Sequence, residues 1–212
     1  MHFDHLLQLF TSRDQLRPAL CMPNEQDGFV YATDAHHIVR IPVALCQNQY
    51  PPHEKVPQFS SIWPGTERLY TSPIEISTDT LRGAIAQVPM VTYQETEECT
   101  ECEGEGEIKC HCCGYSHTCK NCDGDGDVKT GKKVTEPDRE YTIQFDGVHI
   151  AHRYISTLLQ VAEATGDTIR LLTVLRSDRL VLFQTGEIQV GIMPKTHGVS
   201  GEPIRFPLQE IE

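Results

Sequence analysis

Seven of the nine cysteines in this chain crowd between Cys99 and Cys122. They fall into a pattern. Cys99 to Gly106 and Cys119 to Gly126 are two copies of C-x-x-C-x-G-x-G, offset by 20 residues. Two thiolates three positions apart grip one metal ion from a tight turn, and the glycines let the backbone fold beneath the sulfurs with positive φ. Two such knuckles complete a tetrahedron, so the spacing predicts one structural zinc held by Cys99, Cys102, Cys119 and Cys122. Left as unligated thiols, the segment would have almost no apolar residues and nothing to hold it folded. Between the copies, Cys110 and Cys113 form one more C-x-x-C without the glycine pattern. Cys112 and His117 would complete a second zinc site with them; the alternative is a loop thiol pair open to oxidation.

Neither arrangement points to catalysis. A catalytic zinc usually keeps three protein ligands and an open position, whereas four thiolates make a closed site of charge −2. A redox C-x-x-C normally opens a helix after a strand and works alone. His36 and His37 follow Asp34 and read as strand residues on opposite faces. His149 and His152, one helical turn apart, read as an exposed polar face with no acidic partner near in sequence. No G-x-S-x-G, Walker or dinucleotide pattern occurs. The expectation is a protein without catalytic residues; a metal-dependent enzyme using His36, His37 or His149 is an alternative. Cys21 and Cys46 read as small core residues.

Charge narrows the partners. The chain has 212 residues, 18 Lys+Arg and 30 Asp+Glu, a net −12. From Glu95 to Asp127 there are ten carboxylates against Lys109 and Lys120, or −8, and the remaining 20 acids and 16 bases give −4. Affinity for a nucleic-acid backbone comes mainly from Lys and Arg, so this balance opposes indiscriminate DNA binding. It favours a protein partner with a basic surface instead. No apolar run reaches the length of a membrane helix, and Met1-His2-Phe3-Asp4-His5 lacks the basic and apolar regions of a secretion signal. A cytoplasmic protein with no membrane contact is expected.

The elements that must carry these residues divide into a mixed region to about residue 93, with six of 13 prolines between Pro42 and Pro73, the acidic cysteine segment, and a strongly patterned region from about 139 to 194. In the last, Tyr141–Phe145 reads as a strand and Val148–Ala164 as a helix stopped by Gly166. Ile169–Leu175, Leu180–Gln184 and Ile188–Met193 read as strands. The N-terminal region repeats the plan: helix Phe3–Phe10, then strands Leu16–Met22, Phe29–Thr33 and Ile38–Ile41. Shifting by 152 residues without a gap aligns Leu6-Leu7-Gln8 with Leu158-Leu159-Gln160, Leu20 with Leu172, Thr33 with Thr185 and Pro42 with Pro194. Trp63 reads as an anchor of the Pro-rich stretch.

Several segments resemble the bacterial DNA polymerase sliding clamps. Arg17-Pro18-Ala19-Leu20 followed by Tyr31-Ala32-Thr33-Asp34-Ala35-His36 is similar to their R-P-x-L and A-T-D-x-H signature. Tyr50-Pro51 with Glu54-Lys55-Val56-Pro57 is similar to the F-P-x-Y-x-x-V-x-P segment, Phe145-Asp146, Tyr154 and Leu158 to F-N-x-x-Y-L-x-x-L, and Val190 to Pro194 to a final strand ending in M-P. The cysteine segment resembles the cysteine-rich domain of DnaJ-type co-chaperones, which implies that Cys99 and Cys102 join Cys119 and Cys122 on one zinc. The expected fold class is α+β: a DNA-clamp-like domain of two β-α-β-β-β halves, residues 1–94 and 132–212, with a DnaJ-like zinc-binding module, 95–131, inserted. The resemblance implies a non-enzymatic binding or adaptor protein accessory to DNA replication or repair; the alternative is a chaperone module that binds client polypeptides. DNA contact would come from Arg13, Arg17, His149, His152 and Arg153 and be weak in a single chain.

Overall fold

Alternating apolar residues build the largest sheet of this protein, a computed structural model of which describes residues 2–12, 14, 16–50, 56, 58–110, 112–196 and 201–208. In chain order the elements are helix α1 (Asp4–Leu7), β1 (Asn24–Gln26), β2 (Phe29–Thr33), β3 (His37–Pro42), β4 (Leu69–Ile76), α2 (Thr78–Ile85), β5 (Met90–Glu98), β6 (Glu107–Lys109), β7 (Ser116–Thr118), β8 (Asp127–Pro137), β9 (Thr142–Phe145), β10 (Val148–Ala151), α3 (His152–Thr165), β11 (Ile169–Thr173), β12 (Val181–Thr185), β13 (Ile188–Ile192) and β14 (Ile204–Phe206). They form two compact units, Met1–Val88 with Arg139–Glu212, and Pro89–Asp138.

In the larger unit, seven antiparallel strands run in the order β1-β2-β3-β13-β12-β11-β4. Val30 and Ala32, Val39 and Ile41, Val190 and Ile192, Val181 and Phe183, and Ile169 and Leu171 all join one core. Helix α1 contributes Leu6 and Leu7 to that core, α2 gives Leu81 and Ala84, and α3 gives Ile155, Leu158 and Val161. A smaller sheet, β10-β9-β14, adds Ile150, Ile143, Phe145 and Phe206. A second, smaller cluster gathers Tyr31, Ile38, Phe59 and Leu180, with Trp63 against it. The Trp63 indole N–H donates to Gln189 Oε1 at 2.8 Å, and the Arg40 guanidinium lies 4.7 Å from the Phe29 ring centroid and 4.5 Å from that of Trp63. That contact ties the Pro-rich stretch to the sheet.

Several expected elements change. The helix expected from Val148 starts at His152, because Asp146 (φ 41°) and Gly147 (φ 81°) make a two-residue turn that pairs Val148 with Phe145 and turns residues 148–151 into a strand. The second half therefore runs β-β-α-β-β-β, and the first opens on α1 with no strand before it among the described residues. The far end of α3 agrees with expectation: Gly166, at φ 71°, caps the helix by donating its N–H to Ala162 O. The strand expected over Leu16–Met22 is a single 3-10 turn, Pro18–Leu20, with Leu16 and Met22 exposed. Pro18 cannot donate to a ladder, and the strand forms later, at Asn24–Gln26. Helix α1 is shorter than expected, and β4 and α2 are additional; Ser77 caps α2 by accepting from the Thr80 amide.

The internal repeat keeps strand length from β2 to β12 but not its faces. β2 and β12 coincide under the shift of 152, but four residues separate the paired Thr33 and Ile38 while two separate Thr185 and Ile188. The correspondence therefore moves by two residues in the following strand, and at neither offset do the core faces match: Val30, Ala32, Val39 and Ile41 join the core in the first half, whereas Val181, Phe183, Val190 and Ile192, an odd step away, join it in the second. Arg13, Pro51, Glu54, Lys55 and Pro57 lie outside the described residues.

The smaller unit is a ribbon and two knuckles. β5 and β8 pair antiparallel from Met90↔Pro137 to Glu98↔Asp127, so the ribbon extends beyond the 95–131 segment on both sides. Most of its residues are exposed or half-buried. An isolated two-stranded ribbon is marginal in water. What is buried lies at its far end, where Cys99, Cys102, Cys119 and Cys122 cluster with Ile108 and Val128 packed around them.

Candidate metal centre

Each knuckle turns back on its own cysteines. Glu105 N donates to Cys102 O and Asp125 N to Cys122 O, both at 2.9 Å, while Gly106 N and Gly126 N donate to the sulfurs of Cys102 and Cys122, both at 3.3 Å. The knuckles then grip each other reciprocally: Cys99 N donates to Gly126 O and Cys119 N to Gly106 O, each at 2.8 Å. The second glycine of each motif is needed twice over. Gly106 and Gly126 have φ +73° and +83°, and a Cβ on them would come within 2.3 Å of Gly124 O and 2.4 Å of Gly104 O. No other residue fits there.

This mutual clasp brings four buried sulfurs within 4.8 Å of one another. Cys99 and Cys119 sulfurs are 3.8 Å apart, and those of Cys102 and Cys122 are 3.7 Å apart. A tetrahedral ion with metal–sulfur bonds of about 2.3 Å sets its ligands roughly 3.8 Å apart, so the cluster fits a metal as it stands. The thiols respond unequally to their surroundings. The Asn121 amide, donating to Cys99 Sγ at 3.3 Å, brings that thiol down to about 6, while burial pushes Cys102 up to about 12 and also raises Cys119. Four sulfurs this close cannot all ionise without a cation to share. Asn121 occupies a position that the C-x-x-C pattern leaves unspecified, yet its amide touches a sulfur directly.

Cys110, Cys112 and Cys113 form a second group that could hold a metal, their sulfurs also within 4.8 Å of one another. They sit on the loop joining β6 to β7. His117, paired with Ile108 on β7, is not among them.

Among the described residues the histidines do not assemble a site. His37 is buried, its Nδ1 2.7 Å from Asp34 Oδ1 and its Nε2 3.2 Å from Leu9 O, with the Phe10 and Tyr154 rings at 4.5 and 4.6 Å. Both ring nitrogens are occupied. Burial opposes ionisation of Asp34, yet the His37 hydrogen bond and charge outweigh it and bring the carboxyl to about 2. His36 is exposed and stacks on Tyr154 at 6.3 Å. His149 lies on strand β10, within 3.2 Å of Thr142 and Gln144 side chains, and His152 is a buried residue of α3, so they do not form the expected exposed helical pair.

Two adjoining cavities of the larger unit had no signal in local sequence. One, of 410 Å³, has mostly apolar walls from Leu20, Thr33, Ala35, His36, Ile38, Phe59, Ile62, Leu180 and Met193. The other, of 330 Å³, shares His36 and Met193 and adds Arg139, Glu140, Arg153, Tyr154 and Lys195. The Arg153 guanidinium lies 4.7 Å from the Tyr154 ring centroid, and Lys195 pairs with Glu140.

Comparison with protein-family models gives no match, and neither does comparison with curated proteins. Solved structures do match. The chain is similar to DNA polymerase III subunit beta from Borrelia burgdorferi, solved in complex with a natural product, with a TM-score of 0.51 and 11% identity over 92% of this chain and 61% of that one. It is similar also to the DNA polymerase III beta subunit from Thermotoga maritima, with a TM-score of 0.50 and 10% identity over 91% and 63%. This chain has a sliding-clamp-like fold. It spans less than two thirds of either neighbour's length. Among the described residues no helix is long and apolar enough to cross a membrane.

Proposed function

We propose that this chain is a non-enzymatic binding protein, accessory to DNA replication or repair in the cytoplasm, whose clamp-like core docks a segment of a protein partner and whose inserted module is held by zinc. One observation carries the docking role. Leu20 of the R-P-x-L segment and Thr33 and His36 of A-T-D-x-H, near the start of the sequence, meet Met193 of the M-P ending, near its close, and line one apolar cavity. Tyr154 of the third segment lines its cationic neighbour. Signature residues that converge on concave surface serve a ligand more readily than they serve packing. An extended segment with apolar side chains followed by a carboxylate matches the pair of cavities in chemistry.

The four buried thiolates suit zinc because the donor set is soft, tetrahedral and closed. Zinc would supply a cross-link that replaces the core the module lacks. Four thiolates leave a zinc no open position, which makes the site structural. Its charge makes the module's −8 about −10, which attracts basic protein surfaces and repels duplex DNA.

Affinity capture from the source cell tests this reading, using the chain beside a Met193→Asp variant. Replication or repair proteins retained by the parent and lost with the variant support it. Recovery of unfolded polypeptides, equal for both proteins, would overturn it in favour of the chaperone alternative.

A further inference from the structure

The tip of the β6–β7 hairpin carries chemistry that the docking role does not use. Cys110 and Cys112 sulfurs approach to 2.8 Å, and Cys113 completes a group whose sulfurs are all within 4.8 Å. The loop is held at its base, where Cys110 N donates to Tyr115 O and Gly114 N to Cys110 O, both at 2.9 Å. Beyond that base Cys112 and Cys113 are exposed. Gly114 has φ +71°, the left-handed conformation that lets the chain turn back on Cys110.

The geometry points to a second metal site of a different kind: three thiolates, from Cys110, Cys112 and Cys113, holding a thiophilic d¹⁰ divalent cation such as zinc, with the fourth position open to solvent. Three sulfurs on one short loop can take three corners of a tetrahedron, and the solvent side supplies the fourth ligand. Ligands spaced by a tetrahedral ion stand roughly 3.8 Å apart, so the Cys110–Cys112 pair opens by about an ångström on loading. The contrast with the four-cysteine centre is one of access. There the sulfurs are buried beneath two interlocked turns; here two of the three face water. The first ion is therefore retained and the second exchanges, and an exogenous thiolate, imidazole or carboxylate can bind it directly. Binding is pH-dependent in the usual sense that the thiols release protons as the cation enters.

This inference goes beyond the docking role and has its own readout. Reduced full-length chain is loaded with zinc, freed of excess and mixed with a chromophoric chelator, and zinc release is followed with time. Two equivalents are expected, one released rapidly and one slowly. In the Cys110→Ser/Cys112→Ser/Cys113→Ser variant the rapid equivalent disappears and the slow one remains, which also reports that the module is still folded. His117→Ala should keep both. Cobalt substitution adds a spectroscopic check, because thiolate charge-transfer absorption should rise in two steps and lose one step in the triple variant. A parent chain that releases only a slow equivalent, or a rapid equivalent that survives the triple variant or vanishes with His117→Ala, overturns the proposal. A parent chain lacking the slow equivalent tells instead against the four-cysteine centre.

Discussion

Replacing Gly126 by alanine should weaken metal binding sharply, because two separate costs meet at one atom. The residue sits at φ +83°, and its Cβ would lie 2.4 Å from Gly104 O in the opposite knuckle. The left-handed backbone alone costs a residue with a side chain about 1–2 kcal/mol. The contact cannot be relieved by a side-chain rotation, since both atoms belong to the backbone framework. The knuckles must separate, at the expense of the 2.8 Å hydrogen bond from Cys99 N to Gly126 O, worth about 0.5–1.5 kcal/mol. The total is roughly 1.5–3.5 kcal/mol, and because metal binding and folding of the module are one equilibrium, it is felt as roughly a 10- to 300-fold loss of apparent zinc affinity. Competition with a chelator measures this. Gly131→Ala is the control: φ is +79° but nothing lies within 4 Å of the new Cβ. It should lose only the part that backbone strain carries, roughly 5- to 30-fold, so the difference between the two variants isolates the reciprocal knuckle contact. Equal affinities for the parent and Gly126→Ala would refute the idea that the reciprocal knuckle contact positions the sulfurs.

Three further outcomes are expected. Asp34 has its carboxyl brought to about 2 by His37, so its contribution is present above the ordinary value near 4 and is lost as pH falls through about 2; discounted for partial exposure it is roughly 1–2 kcal/mol. Denaturant unfolding at several pH values should show Asp34→Asn less stable than the parent at neutral pH and the gap closing in acid. Leu158 is fully buried and Leu16 is 92% exposed, so Leu158→Ala should cost about 2–5 kcal/mol and Leu16→Ala less than about 0.5; equal melting shifts would contradict the burial assigned to them. Replacing residues 96–130 by a short Gly/Ser link should leave a cooperative thermal transition, since shortening a surface connection changes closure entropy slowly.

The sequence was most legible where a motif carries its own geometry. C-x-x-C-x-G-x-G specifies both ligands and the turn beneath them, so the four sulfurs could be grouped from spacing alone, and Gly166 marked the end of α3 for the same local reason. Residues 148–151 were misread because Ile150, Tyr154, Leu158 and Val161 fall at near-helical spacing although the first belongs to a strand; the Asp146-Gly147 dipeptide was the signal that separates them. β4 escaped because Pro73 interrupts its pattern, which an edge strand tolerates. Asn121 and the contact between Cys110 and Cys112 depend on side-chain placement and leave no periodic trace. The paired cavities could not be read at all from local pattern, since Leu20 and Met193 meet only after β3 and β13 pair.

The most direct test is the zinc content of protein purified without added metal, measured together with thiol reactivity. At least one zinc per chain is expected, with Cys99, Cys102, Cys119 and Cys122 protected until a chelator removes it and the smaller unit then unfolding while the larger keeps its cooperative transition. Protein with almost no zinc, all seven clustered thiols reacting freely and the module folded nonetheless would contradict it.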